Sequence, residues 1–455
     1  MSQYRSRNIK RPAKATPSLP IINPHAAGID VGSDFMFVAV PIDSSPTPIA
    51  RFGTFTSDLL DLAAHLKECR ILTVAIESTG VYWIPLYEIL EAQGFKVMLI
   101  NPNYPKKNKT DVEDCQWLQY LHSVGLLKGS FRPPEQVCAV REILRHRATL
   151  VRQGARDILR MQKSLTQMNV LIHNVISDIT GLTGLLILDA ILAGERDPQK
   201  LALFRDPHIK ATPETIEKSL IGNYRAEHLF TLKQSRESYR FHREQIEECD
   251  AQIEKMLKEF DGEMPISPTP GTKPGKSHGK NDIRLPHGNL HSEMIRVHGV
   301  DLATVPGIAP TTACTIFTEI GRDITQFESA SAFVSWLKLC PDPRISGGKV
   351  LGHSKCPSKP KLSVHLRQIA QSMEKNQSYL GHFYRRMKSK HGPATAAKAT
   401  AQKLARIIYT MLTTKQPYDE SHFVSAQKKL DQGRIRWILQ QAPSLGLTIQ
   451  QTSVS

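Results

Sequence analysis

Between residues 26 and about 127 the apolar residues change period in an order that few folds accept. Gly28-Ile29-Asp30-Val31-Gly32 and Phe35-Met36-Phe37-Val38-Ala39-Val40 read as two strands joined by a tight turn, and Arg51-Phe52-Gly53-Thr54-Phe55 as a third. Over 58–68, Leu59, Leu62, Ala63 and Leu66 recur at helical spacing, with Ser57 or Asp58 placed to cap. A buried-type strand at 72–77, a helix at 83–93 ended by Gly94, a strand at 95–100 and a helix from 111 to about 124 complete the run. The order βββαβαβα is that of a ribonuclease-H-like mixed-sheet domain.

The remainder reads as helical. Residues 136–171 and 211–258 are long, charged and poor in glycine, which predicts an extended, coiled-coil-like arm. Residues 262–291 are rich in Pro, Gly, Lys and His and read as a linker. The expected domains are a disordered basic arm at 1–24, the mixed-sheet domain at 25–130 and the helical arm at 131–260. A linker at 261–292, a mainly helical domain at 293–420 and a tail at 421–455 follow.

Charge narrows the partners. Among 455 residues, 59 Lys and Arg face 43 Asp and Glu, a formal charge of +16, which favours a polyanion through counterion release. No apolar run reaches membrane-spanning length, and the seven cysteines form no CxxC pair. The expected setting is cytoplasmic and nucleoid-associated, with no disulfide framework and no structural zinc.

Four acids stand out. Asp30 lies inside an apolar strand, where a charge is costly without compensation. Glu77 ends another strand, and Asp111 and Asp114 share a helix face at i,i+3. In the expected fold these four converge on one end of the sheet, a hard-oxygen set for Mg²⁺ or Mn²⁺ acting on a phosphodiester. Taken singly each has a plainer reading. Asp30 could open a phosphate-binding turn of the sugar-kinase or actin-like kind, Asp111 could merely cap its helix, and Glu113 sits on a solvated face.

In the second half, Leu302-Ala303-Thr304-Val305-Pro306-Gly307-Ile308-Ala309-Pro310-Thr311-Thr312-Ala313 has the form of a helix-hairpin-helix. Its turn, Pro306-Gly307, would offer backbone N–H groups to phosphate. A polar loop follows, in which Ser346 stands beside Gly347, Gly348 and Lys349. On the residues alone Ser346 reads as a loop serine. Arg367, Arg385, Arg386, Lys388, Lys390, Lys398, Lys403 and Arg406 predict a basic helical surface, much of it merely solvated.

These residues resemble the bridge-RNA-guided DEDD transposases of the insertion-sequence 110 family. The resemblance rests on Gly28-Ile29-Asp30-Val31-Gly32, Ile76-Glu77-Ser78-Thr79-Gly80 and Lys109-Thr110-Asp111-Val112-Glu113-Asp114-Cys115. It continues in Val305-Pro306-Gly307-Ile308 and Ser346-Gly347-Gly348-Lys349, so it covers both folded regions in order. It implies a RuvC-like nuclease domain with Asp30, Glu77, Asp111 and Asp114 as metal-binding catalytic acids, and a transposase domain whose essential serine is Ser346. It further implies double-stranded donor and target DNA, a structured non-coding guide RNA, and homodimers pairing into tetramers. The proline-rich Cys356-Pro357-Ser358-Lys359-Pro360-Lys361 departs from the family pattern. A junction-resolving endonuclease using the carboxylates alone and a non-catalytic nucleic-acid-binding protein are the competing readings.

Overall fold

The computed structural model describes residues 19–78, 80–101, 110–261, 279–341, 343–353, 360–421, 432–433 and 435–445. It divides into two compact units, Met1–Arg132 and Pro133–Ser455. Most of the expected basic arm, Thr79, Lys109, Cys356 and most of the expected linker lie outside the described residues.

The first unit is built on five strands: β1 (Ala26–Val31), β2 (Met36–Ala39), β3 (Ile49–Phe52), β4 (Thr73–Glu77) and β5 (Lys96–Ile100). Their spatial order is β3-β2-β1-β4-β5, with β1 in the centre. β1 pairs antiparallel with β2 and parallel with β4, β2 and β3 are antiparallel, and β4 and β5 are parallel. Three helices, α1 (Thr56–Glu68), α2 (Trp83–Ala92) and α3 (Asp111–Ser123), join and follow them. This is a ribonuclease-H-like α/β domain, in the element order read from the sequence.

Strand alternation sorts the two faces. Ala27, Ile29 and Val31 of β1 and Val74 and Ile76 of β4 pack against Leu59, Leu62 and Leu66 of α1 and Leu86 and Leu90 of α2. Ala75 and Ile100 face the other way and meet Leu118 of α3. The α1 start differs from expectation. Phe55 is its N-cap, and Asp58, inside the first turn, accepts from the Phe55 N–H at 3.1 Å.

In the second unit α4 (Glu135–Gln167) and α9 (Ala226–Lys258) form an antiparallel pair, each about 50 Å long. Arg147 meets Asp250, Asp157 meets His242 and Ser164 meets Thr231 along its length. The region between them is not a continuation of the arm. α5 (Ile172–Val175), α6 (Leu182–Leu192), α7 (Pro198–Ala202) and α8 (Pro213–Ser219) close a core of their own around Met161, Leu165, Ile187, Ile191 and Leu201. Helix across 211–258 breaks between Ser219 and Ala226, where Tyr224 takes φ +44°.

The remaining helices are α10 (Leu290–His298), α11 (Pro310–Ile320), α12 (Ala330–Trp336), α13 (Lys361–Ser372), α14 (Tyr379–His391) and α15 (Pro393–Thr414), with a hairpin of β6 (Pro343–Ser346) and β7 (Lys349–His353). They belong to the same compact unit as the α4/α9 pair rather than to a separate body. The Phe260 ring packs edge-on against Phe317, and Arg145 pairs with Glu319 at 2.8 Å.

The end of the expected linker is likewise packed. Ile283 and Leu285 are buried, and the Arg147 guanidinium donates to the Asn281 and Asp282 carbonyls, each at 2.9 Å, while holding Asp250. The two apolar residues and a buried guanidinium in need of acceptors fasten this segment to α4. Among the described residues, no helix is long and apolar enough to cross a membrane.

Candidate active site

The sheet register decides where the acids go. Gly28 pairs with Ala75 and Ile29 with Ile76, which brings Asp30 and Glu77 level on neighbouring parallel strands. Both then point to the face of Gly28 and Ala75, the face that carries α3. Glu77 is only 9 % exposed and Asp30 is half-buried.

α3 lies directly on β1. A Cβ added to Gly28 would come within 2.3 Å of the Gln119 nitrogen and 2.6 Å of the Cys115 carbonyl oxygen, so the glycine is what lets the two backbones touch. Asp114 precedes Cys115, and Asp111 opens the helix one turn earlier. The Cys115 thiol registers the neighbourhood. Burial, then the charge of Asp30 and more weakly that of Asp114, push it up to about 12. Asp30, Glu77 and Asp114 therefore gather where β1 and β4 end, with Asp111 exposed in the adjoining first turn of α3.

The acids gather without closing. Among the described residues no group of three or more His, Cys, Asp or Glu side chains is near enough to hold a metal ion. A cation held here would have to draw the carboxylates together. The half-positive N-terminus of α3 opposes one, but Asp111, Glu113 and Asp114 in its first turn outweigh that partial charge. Part of the acid cluster also serves the fold, since acids here complement the dipole and Thr110 caps the helix by accepting from the Glu113 N–H at 3.3 Å.

The sequence reading assigned no role to Gly28 or Cys115, which meet where α3 lies on β1. The available signal was a glycine two residues before a buried acid, on the same strand face. Gly28→Ala is expected to lift α3 from β1, costing about 3 kcal/mol in urea unfolding and much of the activity, since Asp111 and Asp114 ride on that helix. A variant of wild-type stability would show that the contact relaxes freely.

Ser346 does not sit in an irregular loop. It ends β6 and pairs across the hairpin with Lys349, the first residue of β7, and Gly347 and Gly348 make the turn at φ +55° and +75°. A two-residue turn with both φ values positive matches the strand twist, and glycine takes it without strain. Directly opposed residues project to one side of a hairpin, so Ser346 and Lys349 share a face, both exposed.

The Pro306-Gly307 turn leads into a helix as expected, with Gly307 exposed. Val305 and Ile308 are buried and Gly307 takes φ +87°, leading into α11. A side chain there would strike Ile369 of α13 and Met373 just beyond it, and Thr311, in the first turn of α11, contacts the Asp282 carboxylate at 3.4 Å. Packing covers one side of the turn, and an acid stands beside the helix start where a phosphate would approach. Several of the expected DNA-facing cations are engaged within the protein. Arg385 donates to the Glu374 and Asn376 carbonyls, Lys398 to the Cys340 carbonyl, and Lys403 lies over the Tyr379 and Phe383 rings.

Two family models match the chain. One, described as "Transposase", covers residues 27–170, and one described as "Transposase IS116/IS110/IS902 family" covers residues 301–385. Together they span half of the sequence, including β1 through α3 and the stretch from Asp301 through the Ser346 hairpin to Arg385. No curated protein matches it.

Proposed function

We propose that this chain, which belongs to the insertion-sequence 110 transposases, cuts and rejoins DNA with the Asp30, Glu77, Asp111 and Asp114 carboxylates and the Ser346 hydroxyl. The observation that carries the reading is the level placement of Asp30 and Glu77 on adjoining strands, under a helix that begins with Asp111 and Asp114. Four carboxylates and no softer donor suit a hard divalent cation, so the residues fit Mg²⁺ or Mn²⁺. Such an ion, when bound, supplies Lewis-acid polarisation of the phosphodiester and stabilises the leaving oxygen.

The chain's own residues do the rest. Ser346 Oγ attacks phosphorus, its proton leaves, and the bond from phosphorus to one deoxyribose oxygen breaks as that oxygen takes up a proton. A DNA strand is then held as a phosphoserine ester. Attack by a deoxyribose hydroxyl of another strand frees Ser346 and completes the exchange. Lys349, on the same hairpin face, neutralises phosphate charge, and the Gly347-Gly348 tip lets a backbone approach. Pro306 and Gly307 are the lesser part of the proposal, because Asp282 stands close to the helix they introduce.

Sequence reading by a structured guide RNA, and assembly of homodimers into tetramers, complete the proposal and rest on the family resemblance. The test is strand exchange by the full chain, with RNA that copurifies with it and the DNA ends flanking its own gene. Activity is expected with Mg²⁺ or Mn²⁺, to vanish with a chelator and to return on adding back the ion. Undiminished exchange in excess chelator would overturn the metal-carboxylate reading.

A further inference from the structure

We infer that the outward face of α4 is a track for the phosphate backbone of double-stranded DNA, formed by Arg145, Arg152, Arg156, Arg160 and Lys163 and extended by Lys361 of α13. The inference rests on the transposase reading and assigns a surface to its DNA.

The spacing comes first. Arg145, Thr149, Arg152, Arg156, Arg160 and Lys163 follow one another at intervals of three and four residues, which keeps them on a single stripe of the helix. Arg147, Leu150, Gly154, Asp157 and Met161, on the opposite side, are buried. The stripe is thus the side of α4 turned away from α9. From Arg145 to Lys163 it runs about 27 Å, the rise of roughly eight base pairs.

The charge does not average out along the helix pair. α4 carries seven Lys and Arg against three acids, whereas α9 carries six against seven. Three acids offset the stripe: Glu142, Glu319, which binds Arg145, and Asp157 of the buried side, to which Arg160 reaches at 3.0 Å. Six cations against three acids leave it positive.

A second observation is independent of helix periodicity. Lys361 opens α13 close enough to Arg145 and Arg152 that burial and then these two charges lower its pKa, against the opposing pull of Glu319 and Glu142. Lys361 thus stands beside Arg145 and Arg152 and lengthens the row of cations, for which a phosphate backbone is the complement. Lys361 also follows the Ser346 hairpin by only eight residues, counted from His353.

Duplex DNA is the occupant because the stripe offers guanidinium groups and no ring. No Phe, Tyr or Trp occurs from Arg141 to Lys163, so there is no platform for stacking unpaired bases. A straight row of exposed arginines suits backbone contact without base reading.

The test is the full chain carrying Arg152→Gln, Arg156→Gln and Lys163→Gln, titrated with a duplex of arbitrary sequence, about 30 base pairs long, over a range of salt. Affinity is expected to fall about tenfold or more, and the slope of log K against log salt by about 3. Arg240→Gln on the far helix, exposed in the same way, should change neither. Should the triple variant fold poorly, Arg156→Gln alone should lower the slope by about 1. Wild-type affinity and slope in a folded variant would overturn the track, as would a loss confined to an RNA duplex. Those results would leave metal-dependent exchange by the unaltered chain standing, whereas an unaltered chain that binds no duplex would sink both.

Discussion

Asp30→Asn is expected to slow strand cutting about a thousandfold or more while leaving the melting temperature unchanged. The amide keeps the shape of the carboxylate and removes the charge, so a cation at this site loses the ligand fixed most firmly by the sheet. A thousandfold corresponds to about 4 kcal/mol of transition-state stabilisation, within reach of one metal ligand. Folding should be little affected, because the amide keeps the size of the side chain and its place in the central strand, level with Glu77. Asp58→Asn is the control. That carboxylate caps α1, so about 1 kcal/mol of stability should go with little change in cutting. A melting temperature that collapses in Asp30→Asn would make the residue structural and remove it from the chemistry.

Ser346→Ala is the second large effect. Ser346 is exposed at the end of a hairpin, so folding and DNA binding should be unaltered. Exchange should fall at least about a thousandfold, and the protein–DNA adduct that survives denaturation should disappear. Ser346→Cys, which keeps a nucleophile of another kind, should restore a detectable adduct. If Ser346→Ala exchanges strands at the wild-type rate, the carboxylates act without a covalent step and the protein works as a junction-resolving endonuclease does.

Much of the first unit was legible because each element carries its own period. Short apolar runs marked β1, β4 and β5, helical spacing marked α1, and charge set in or at the end of apolar strands marked Asp30 and Glu77. Register was not legible. Nothing in Ala26–Val31 or Thr73–Glu77 states that Gly28 lies opposite Ala75, yet that pairing is what makes the two acids neighbours. The approach of α3 onto β1 was hidden for a related reason, since a missing side chain leaves no mark in a hydrophobic pattern.

The second unit was harder to read because its packing joins residues far apart in the chain. Ile283, Leu285 and the Arg147 guanidinium tie down a stretch whose composition spells a linker, and the core around Met161 and Ile187 draws on helices too short for a clear period. Pro343-Arg344-Ile345-Ser346 lacks strand alternation and has a bulge beside Ile345, so the Gly-Gly pair read as a loop rather than a turn. The arginines of α4 were visible from the start, but their stripe means something only once α9 is known to occupy the other side.

The sheet order has a consequence for synthesis. Asp30 leaves the ribosome early in the first unit, but its partner Glu77 arrives only after β2, β3 and α1 have been made, and Asp111 and Asp114 come after β5. Pairing across such separations is slow to form and cannot be anticipated by any local segment. A truncated or half-translated polypeptide therefore holds the four acids apart. The proposed carboxylate site is whole only when the last helix of the first unit settles onto the central strand.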